Sequence, residues 1–320
     1  MTETAVPTRG RAGVAIVRLL PRLLGAVVVV WGAATLAFLV LHLVPGDPVD
    51  IMLGAQSTVS GEVRDQIRAD LGLDTPILQQ YVSYLGHVVR GDFGMSYRLR
   101  QPVTTVIGAQ LMPTVELAGL AIALAVAIAL LVAVGARNRV ARAIASFVEL
   151  IAISSPTFWT GLLLLMLFSF QLHWFPVAGG TGIEALVLPA LTLALPIAGI
   201  LSQVVRHGLD RVERQPFVDS ARARGLGYAG LLGRHTLRHA SLPAVTLAAY
   251  IVGSLLGGAV IVEQLFGRPG IGRVALDAIN NRDLPVVMAL VVLAAVVFVV
   301  VNIVVDLLYP LLDPRLRTSR

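Results

Sequence analysis

Six long apolar stretches separated by polar segments set the pattern of this chain. They run over 23–44, 114–134, 143–170, 186–205, 243–266 and 286–309. A helix of about 20 apolar residues crosses a bilayer core of roughly 30 Å, and each stretch reaches that length. Lipid offers the backbone no hydrogen-bond partners, so such stretches predict helices that bond within themselves. The pattern therefore predicts an all-α integral membrane protein with six transmembrane helices. The first stretch follows Arg9, Arg11, Arg18 and Arg22 as a signal peptide would. Its apolar core is longer than the usual 7–15 residues, and no clean small-x-small site follows, so it reads as a retained helix.

The polar segments are not equivalent. Residues 45–113 are too long for a simple loop. Helical stretches at Gly61–Leu71 and Pro76–Val89, then the turn-rich Arg90-Gly91-Asp92-Phe93-Gly94, predict a small ordered external domain between the first two helices. The expected organisation is a tail at 1–22, a first helix at 23–44, the external domain at 45–113, a five-helix core at 114–309 and a tail at 310–320. The core includes a polar stretch at 206–243. Pro156 lies in the third span, and Pro189 and Pro196 in the fourth; each frees a backbone carbonyl and predicts a kinked, well-packed helix. Gly253, Gly257 and Gly258 in the fifth span permit close backbone approach.

Charge gives these segments a direction. The 1–22 tail holds four Arg against one Glu, and 135–142 holds Arg137, Arg139 and Arg142 with no acid. Residues 206–241 hold seven Arg against three acids, and the C-terminal tail three Arg against Asp313. The alternating segments are neutral or acidic: 45–113 has seven acids and five Arg, 171–185 only Glu184, and 263–284 three of each sign. By the positive-inside rule both termini and the 206–241 stretch are expected in the cytoplasm. The net charge of +6 is divided among separate loops, so it forms no single basic face for nucleic acid.

Composition agrees with the span pattern and narrows the chemistry. The chain is 56% hydrophobic and 14% charged, with a mean hydropathy of +0.81, which belongs to membrane proteins. Cys is absent, which excludes disulfides, thiol nucleophiles and Cys-based zinc sites. Lys is absent as well, all 25 basic residues being Arg, so an ordinary P-loop ATPase site is excluded.

The most distinctive polar stretch is Asp219 to Pro243, DSARARGLGYAGLLGRHTLRHASLP. It reads as two short helices split by Gly225 and Gly227. The first opens after Pro216, which suits a first helical turn. Asp219 and Arg222 are neighbours on one face of it, and Ala221 and Ala223 leave little side chain in the way of a partner. Gly225 stands where a helix often closes with a left-handed residue. The second carries Arg234 and Arg238, and Pro243 opens the next apolar run. Two readings fit: a solvated cytoplasmic loop, or a docking element for a soluble partner.

Other candidates are weaker. Glu116, Glu149 and Asp306 lie in or near spans, where acids are costly and invite a proton or ion pathway. Structural polar contacts are the alternative, with Glu149 the deepest of the three. His235 and His239 are four apart but lack an HExxH glutamate and a third ligand, so no metal site is expected. The glycines of Gly267-Arg268-Pro269-Gly270-Ile271-Gly272 read as an external turn, and Ser154 and Ser155 have no triad partners. No catalytic site is expected.

Several motifs in order give the chain a family resemblance. Val44-Pro45-Gly46-Asp47-Pro48 closes the first span. Leu71-Gly72-Leu73-Asp74 with Pro76, then Gly91-Asp92-Phe93-Gly94, punctuate the external segment. Pro156-Thr157-Phe158-Trp159 marks the third span. Ala221-Arg222-Ala223-Arg224-Gly225-Leu226 precedes His235 and Leu242-Pro243. Glu263, Phe266, Pro269-Gly270-Ile271-Gly272 and Asn281-Arg282-Asp283 follow, and the chain ends on Asp306-Leu307-Leu308-Tyr309 and Leu312-Asp313-Pro314-Arg315. Together they resemble the peptide/nickel-type inner-membrane permeases of ATP-binding cassette importers, most closely the first of two permeases in dipeptide and oligopeptide systems.

The resemblance implies a type I importer permease fold and import of peptides, or of nickel, haem or another small solute. It implies a second homologous permease, two cytoplasmic ATPase domains that bind ATP and Mg, and an extracytoplasmic binding protein. It also implies that Asp219, Ala221, Arg222, Arg224, Gly225, Leu226, His235 and Pro243 form the ATPase-coupling interface. Asp219-Ser220 replaces the Glu-Ala of the wider superfamily, and Arg224 replaces a common Lys, which alters hydrogen-bond geometry. The different-class alternative is a stand-alone secondary transporter or channel using Glu149.

Overall fold

The computed structural model describes residues 11–43, 60–70, 74–96, 98–180, 182–227 and 259–312, with isolated positions between them. Helices dominate it. Helix α1 spans Arg11–Leu43, α2 Gly61–Asp70 and α3 Ile77–Arg90. A two-stranded antiparallel hairpin follows, β1 (Met95–Ser96) and β2 (Gln101–Pro102), with Met95 opposite Pro102. Then come α4 (Val103–Gly135), α5 (Arg139–Ser154), α6 (Thr157–Leu164) and a π-helical turn at Leu165–Gln171. Helix α7 covers Glu184–Glu213, α8 Pro216–Ala223, α9 Ile271–Asn280 and α10 Leu284–Leu312.

Among the described residues four helices are long and apolar enough to cross a membrane: Pro21–Leu43 of α1, all of α4, all of α7, and Leu284–Val304 of α10. These match the first, second, fourth and sixth apolar stretches. Of the fifth, residues 259–265 are helical and most of the rest lies outside the described residues. The third stretch is sharply broken, where a kink was expected. Helices α5 and α6 meet at 108°. The break has a local cause. A residue preceding proline is driven out of the helical region, and Ser155 sits at φ −77, ψ 130, while Pro156 has no N–H to continue the ladder.

Helix α7 is the centre of the bundle. Among the described spans it is the one most enclosed by the rest of the chain, 61% of its most apolar part being buried against 17–28% for the other three. Its chief neighbour is α4, which presents Leu117, Ala121, Ala125, Ala129 and Ala133, one buried residue every fourth position. Side chains four apart share a helix face, and alanine lets the two backbones come close. Pro189 and Pro196 are both accommodated within α7.

The segment between α1 and α4 has no buried residue on α3. Instead α3 lies along α1. Phe38 packs against the rings of Tyr81 and Tyr84, His42 bonds Gln80 at 3.1 Å, and Thr35 bonds Tyr81 at 2.8 Å. Burial raises the Tyr84 hydroxyl to about 12. Helix α3 closes on Gly91 at φ 72, in the left-handed region that glycine enters without strain. The hairpin packs on the turn between α9 and α10, where Ser96 Oγ donates to Asp283 at 2.5 Å and Arg98 bonds Asn281.

Candidate functional site: the coupling helix and the polar contacts behind it

The 206–226 region begins as an uninterrupted continuation of α7. The helix ends at Glu213, turns through Arg214 and Gln215, and re-enters as α8 at Pro216. The turn is bonded, Gln215 N donating to Val212 O at 3.0 Å and Val218 N to Gln215 O at 2.9 Å. Proline suits this first turn, because its missing N–H would have no intrahelical partner. Val218 and Ala221 are buried on α8's inner face against Val212 of α7, with Leu226 alongside. Helix α8 is thus an extension seated on the end of α7.

Its closure is a Schellman motif. Gly225 has φ +82, and the N–H of Leu226 donates to Ala221 O at 3.2 Å, six residues closing back on one. The contact of Leu226 with Ala221 supplies the apolar seal that accompanies such ends. A Cβ on Gly225 would meet nothing within 4 Å, so glycine serves conformation here and not space.

The residues proposed for the interface divide accordingly. Asp219, Arg224 and Gly225 are exposed on the outer side of α8, and Pro243 is also exposed. Arg224 Nε donates to Ser220 O at 3.2 Å, holding the side chain along the helix end. Ala221, expected at a partner surface, is buried inward: it seats α8 on its own chain and presents no outer surface. The Arg222 side chain, Arg234, His235, Arg238 and His239 lie outside the described residues. So does most of the segment expected to form the second short helix of this stretch.

Behind α8 lies a polar contact that hydropathy did not reveal. Glu149 of α5 is buried and accepts from Ser202 Oγ at 2.6 Å and Arg206 Nη2 at 2.5 Å, both on α7. Arg206 also donates to Ser146 Oγ at 3.1 Å and to the Arg142 carbonyl at 3.3 Å. One turn further along, Arg142 pairs with Asp210 at 3.1 Å. The acid expected to lie deepest of Glu116, Glu149 and Asp306 is therefore ion-paired between two helices. Beside it opens a cleft of about 380 Å³, lined by Ile128, Val132, Ile144, Val148, Leu195 and small residues.

A second buried acid organises the far side of the bundle. Glu263 accepts from Thr114 Oγ1 at 2.6 Å and from the Arg273 N–H at 3.1 Å, while Thr114 Oγ1 accepts from the Ile271 N–H at 2.8 Å. Both side chains thus cap the N-terminus of α9, where N–H groups lack helical partners and favour negative charge. The Gly267–Gly272 glycines are more than a turn. A Cβ on Gly270 would overlap the Glu263 carboxyl, and one on Gly272 would come within 2.5 Å of Val260 Cα. Glu116 meets Arg268 at 3.5 Å, and the Asp306 side chain lies outside the described residues. Among the described residues no three His, Asp or Glu side chains cluster as metal ligands would.

Two family profiles match consecutive parts of the chain. Residues 16–118 match the N-terminal membrane component of binding-protein-dependent transport systems, and residues 121–318 the inner membrane component of those systems. The chain belongs to this permease family. The glutathione transport system permease protein GsiC of Salmonella choleraesuis (strain SC-B67) is 35% identical over 277 residues, covering 86% of this chain and 90% of that protein. GsiC of Escherichia coli (strain K12) is 34% identical over 275 residues, covering 85% and 89%. A crystal structure of an amino acid ABC transporter with histidines superposes with a TM-score of 0.51 at 19% identity, over 64% of this chain and 94% of that one. The likeness supports the importer permease fold. The chain is a multi-pass inner-membrane permease subunit of an ATP-binding cassette importer, as the ordered motifs implied, and the stand-alone carrier or channel is set aside.

Proposed function

We propose that this permease imports short peptides, driven by ATP that separate subunits bind with Mg and hydrolyse. Relatives named for glutathione transport, matching over most of both chains, support a peptide cargo. Six spans cross the membrane with both termini in the cytoplasm, where the four Arg-rich segments lie. A second homologous permease completes the path, and a binding protein delivers cargo to the 45–113 side. Nickel or haem import by the same architecture differs in cargo and not in this chain's task.

The observation that carries the mechanism is α8. It is seated on the end of the central helix and exposes its outer face, so a groove on an ATPase subunit that receives it would act on α7 directly. ATP binding changes the separation of the two ATPases, and that change favours one arrangement of the spans over the other. Asp219, Arg222 and Arg224, with His235 beyond, supply the polar contacts; Gly225 and Leu226 fix the shape, and Pro243 closes the stretch. Replacing Arg222 and Arg224 together by Glu is expected to reduce ATPase recovered with the purified permease at least fivefold. Undiminished recovery would remove this docking face.

A further inference from the structure

We infer that the Glu149–Arg206 pair and its neighbours tie α5 to α7, so that movement handed to α7 by the coupling helix is carried into α5 and α6. The inference rests on the coupling reading above and extends it to residues inside the membrane domain. Ser202, Arg206 and Asp210 recur at four-residue intervals on α7 and therefore share one face. Glu149, Ser146 and Arg142 descend α5 in the opposite direction and meet that face in order. The result is an antiparallel ladder of polar contacts, its lowest rung, Asp210, three residues before α7 ends at Glu213.

Apolar packing of α5 on α7 is sparse, Ile153 against Gly199 being its closest approach. Glu149 is its one buried residue among the described side chains, and the 380 Å³ cleft opens along its flank. Above the ladder α5 approaches α7 closely at Gly199, where a Cβ would lie 3.0 Å from Ile153 Cγ1 and 3.1 Å from the Glu149 carbonyl. The cleft runs between α5 and its neighbours beside the ladder, Glu149 and Ser202 among its lining, so the polar contacts bridge α5 to α7 next to open space. At its far end α5 turns through 108° into α6, so displacement of α5 is passed to a differently directed segment. Removing one member of the buried pair leaves the other charge uncompensated, which is the costly way to break it. These are positioning residues: they act through helix placement.

The test uses the complete transporter in proteoliposomes, reading ATP hydrolysis and peptide import together. Glu149→Gln and Arg206→Gln are each expected to lower import at least tenfold while hydrolysis stays within threefold of the native complex. Assembled variants that import and hydrolyse as the native complex does would overturn the inference. So would variants whose two rates fall in equal proportion. A second measurement leaves the buried pair untouched. In a chain without native cysteine, Arg142→Cys with Asp210→Cys can be bridged by a short bis-methanethiosulfonate reagent, the partners being cysteine-free. Import unchanged by bridging supports α5 and α7 moving together; arrest that a reductant reverses overturns it. That experiment decides the matter even if a Glu149 variant fails to assemble. A native chain that recovers no ATPase would instead refute the coupling reading itself.

Discussion

Glu263 shows how much one side chain can determine. It is fully buried, and its carboxylate is matched by a hydroxyl and by the N–H groups of a helix end. The fit leaves no room at Gly270 or Gly272. Gly270→Ala is expected to destabilise the purified permease by about 1–3 kcal/mol or more, as overpacking does, lowering its thermal midpoint in detergent. Gly108→Ala, where a Cβ meets nothing within 4 Å, should leave that midpoint unchanged or slightly raised. Asp92 makes a different prediction. The backbone N–H of Gly94 and the His87 ring hold its carboxyl below the ordinary range. A depressed folded value means stability that is present above the unfolded value, about 3.9, and is lost as pH falls through the folded one. Asp92→Asn should therefore be less stable than the native chain at pH 6, and the difference should close in strong acid. Thermal melts across that range would show it.

At the scale of elements, hydropathy located the crossing helices well and the geometry between them poorly. Apolar length is a local property, so Val103–Gly135 and Glu184–Glu213 could be read from composition along the chain. Pro156 signalled a break in the third stretch but not its 108° turn, which depends on where α5 and α6 find partners. The Schellman end at Gly225 was legible because its cause is local: a glycine at the right offset from Ala221. Gly225→Asn should consequently be tolerated better than Gly225→Val. Both fit the space, but the β-branched residue is strained at φ +82. Import per ATP hydrolysed should follow the order Gly, Asn, Val. The contacts of Glu149 with Ser202 and Arg206, and of Ser96 with Asp283, escaped the sequence reading because their partners are 53, 57 and 187 residues away.

For the molecule as a whole, α7 is both the most enclosed of the described spans and the one that leads into α8. The surface proposed to meet a soluble partner is therefore continuous with the centre of the bundle. The alanine ridge of α4 controls how closely that centre is held. Ala125→Leu adds bulk at a position with no exposed surface. It is expected to separate α4 from α7, costing about 1–3 kcal/mol and reducing recovery of assembled transporter on size-exclusion chromatography. Large apolar side chains elsewhere, such as Val27, Leu131, Phe147 and Trp174, remain exposed on the isolated subunit, as a chain surrounded by lipid and other subunits requires.

The cap of α9 has a consequence for how this protein can change. Thr114, Glu263, Gly270 and Gly272 come from three separate stretches of sequence, yet all four meet at one carboxyl group. In a combinatorial substitution library they should behave as a single site with one large alphabet. Most single replacements would be rejected, while rare concerted replacements that shorten the acid and enlarge a glycine would survive together.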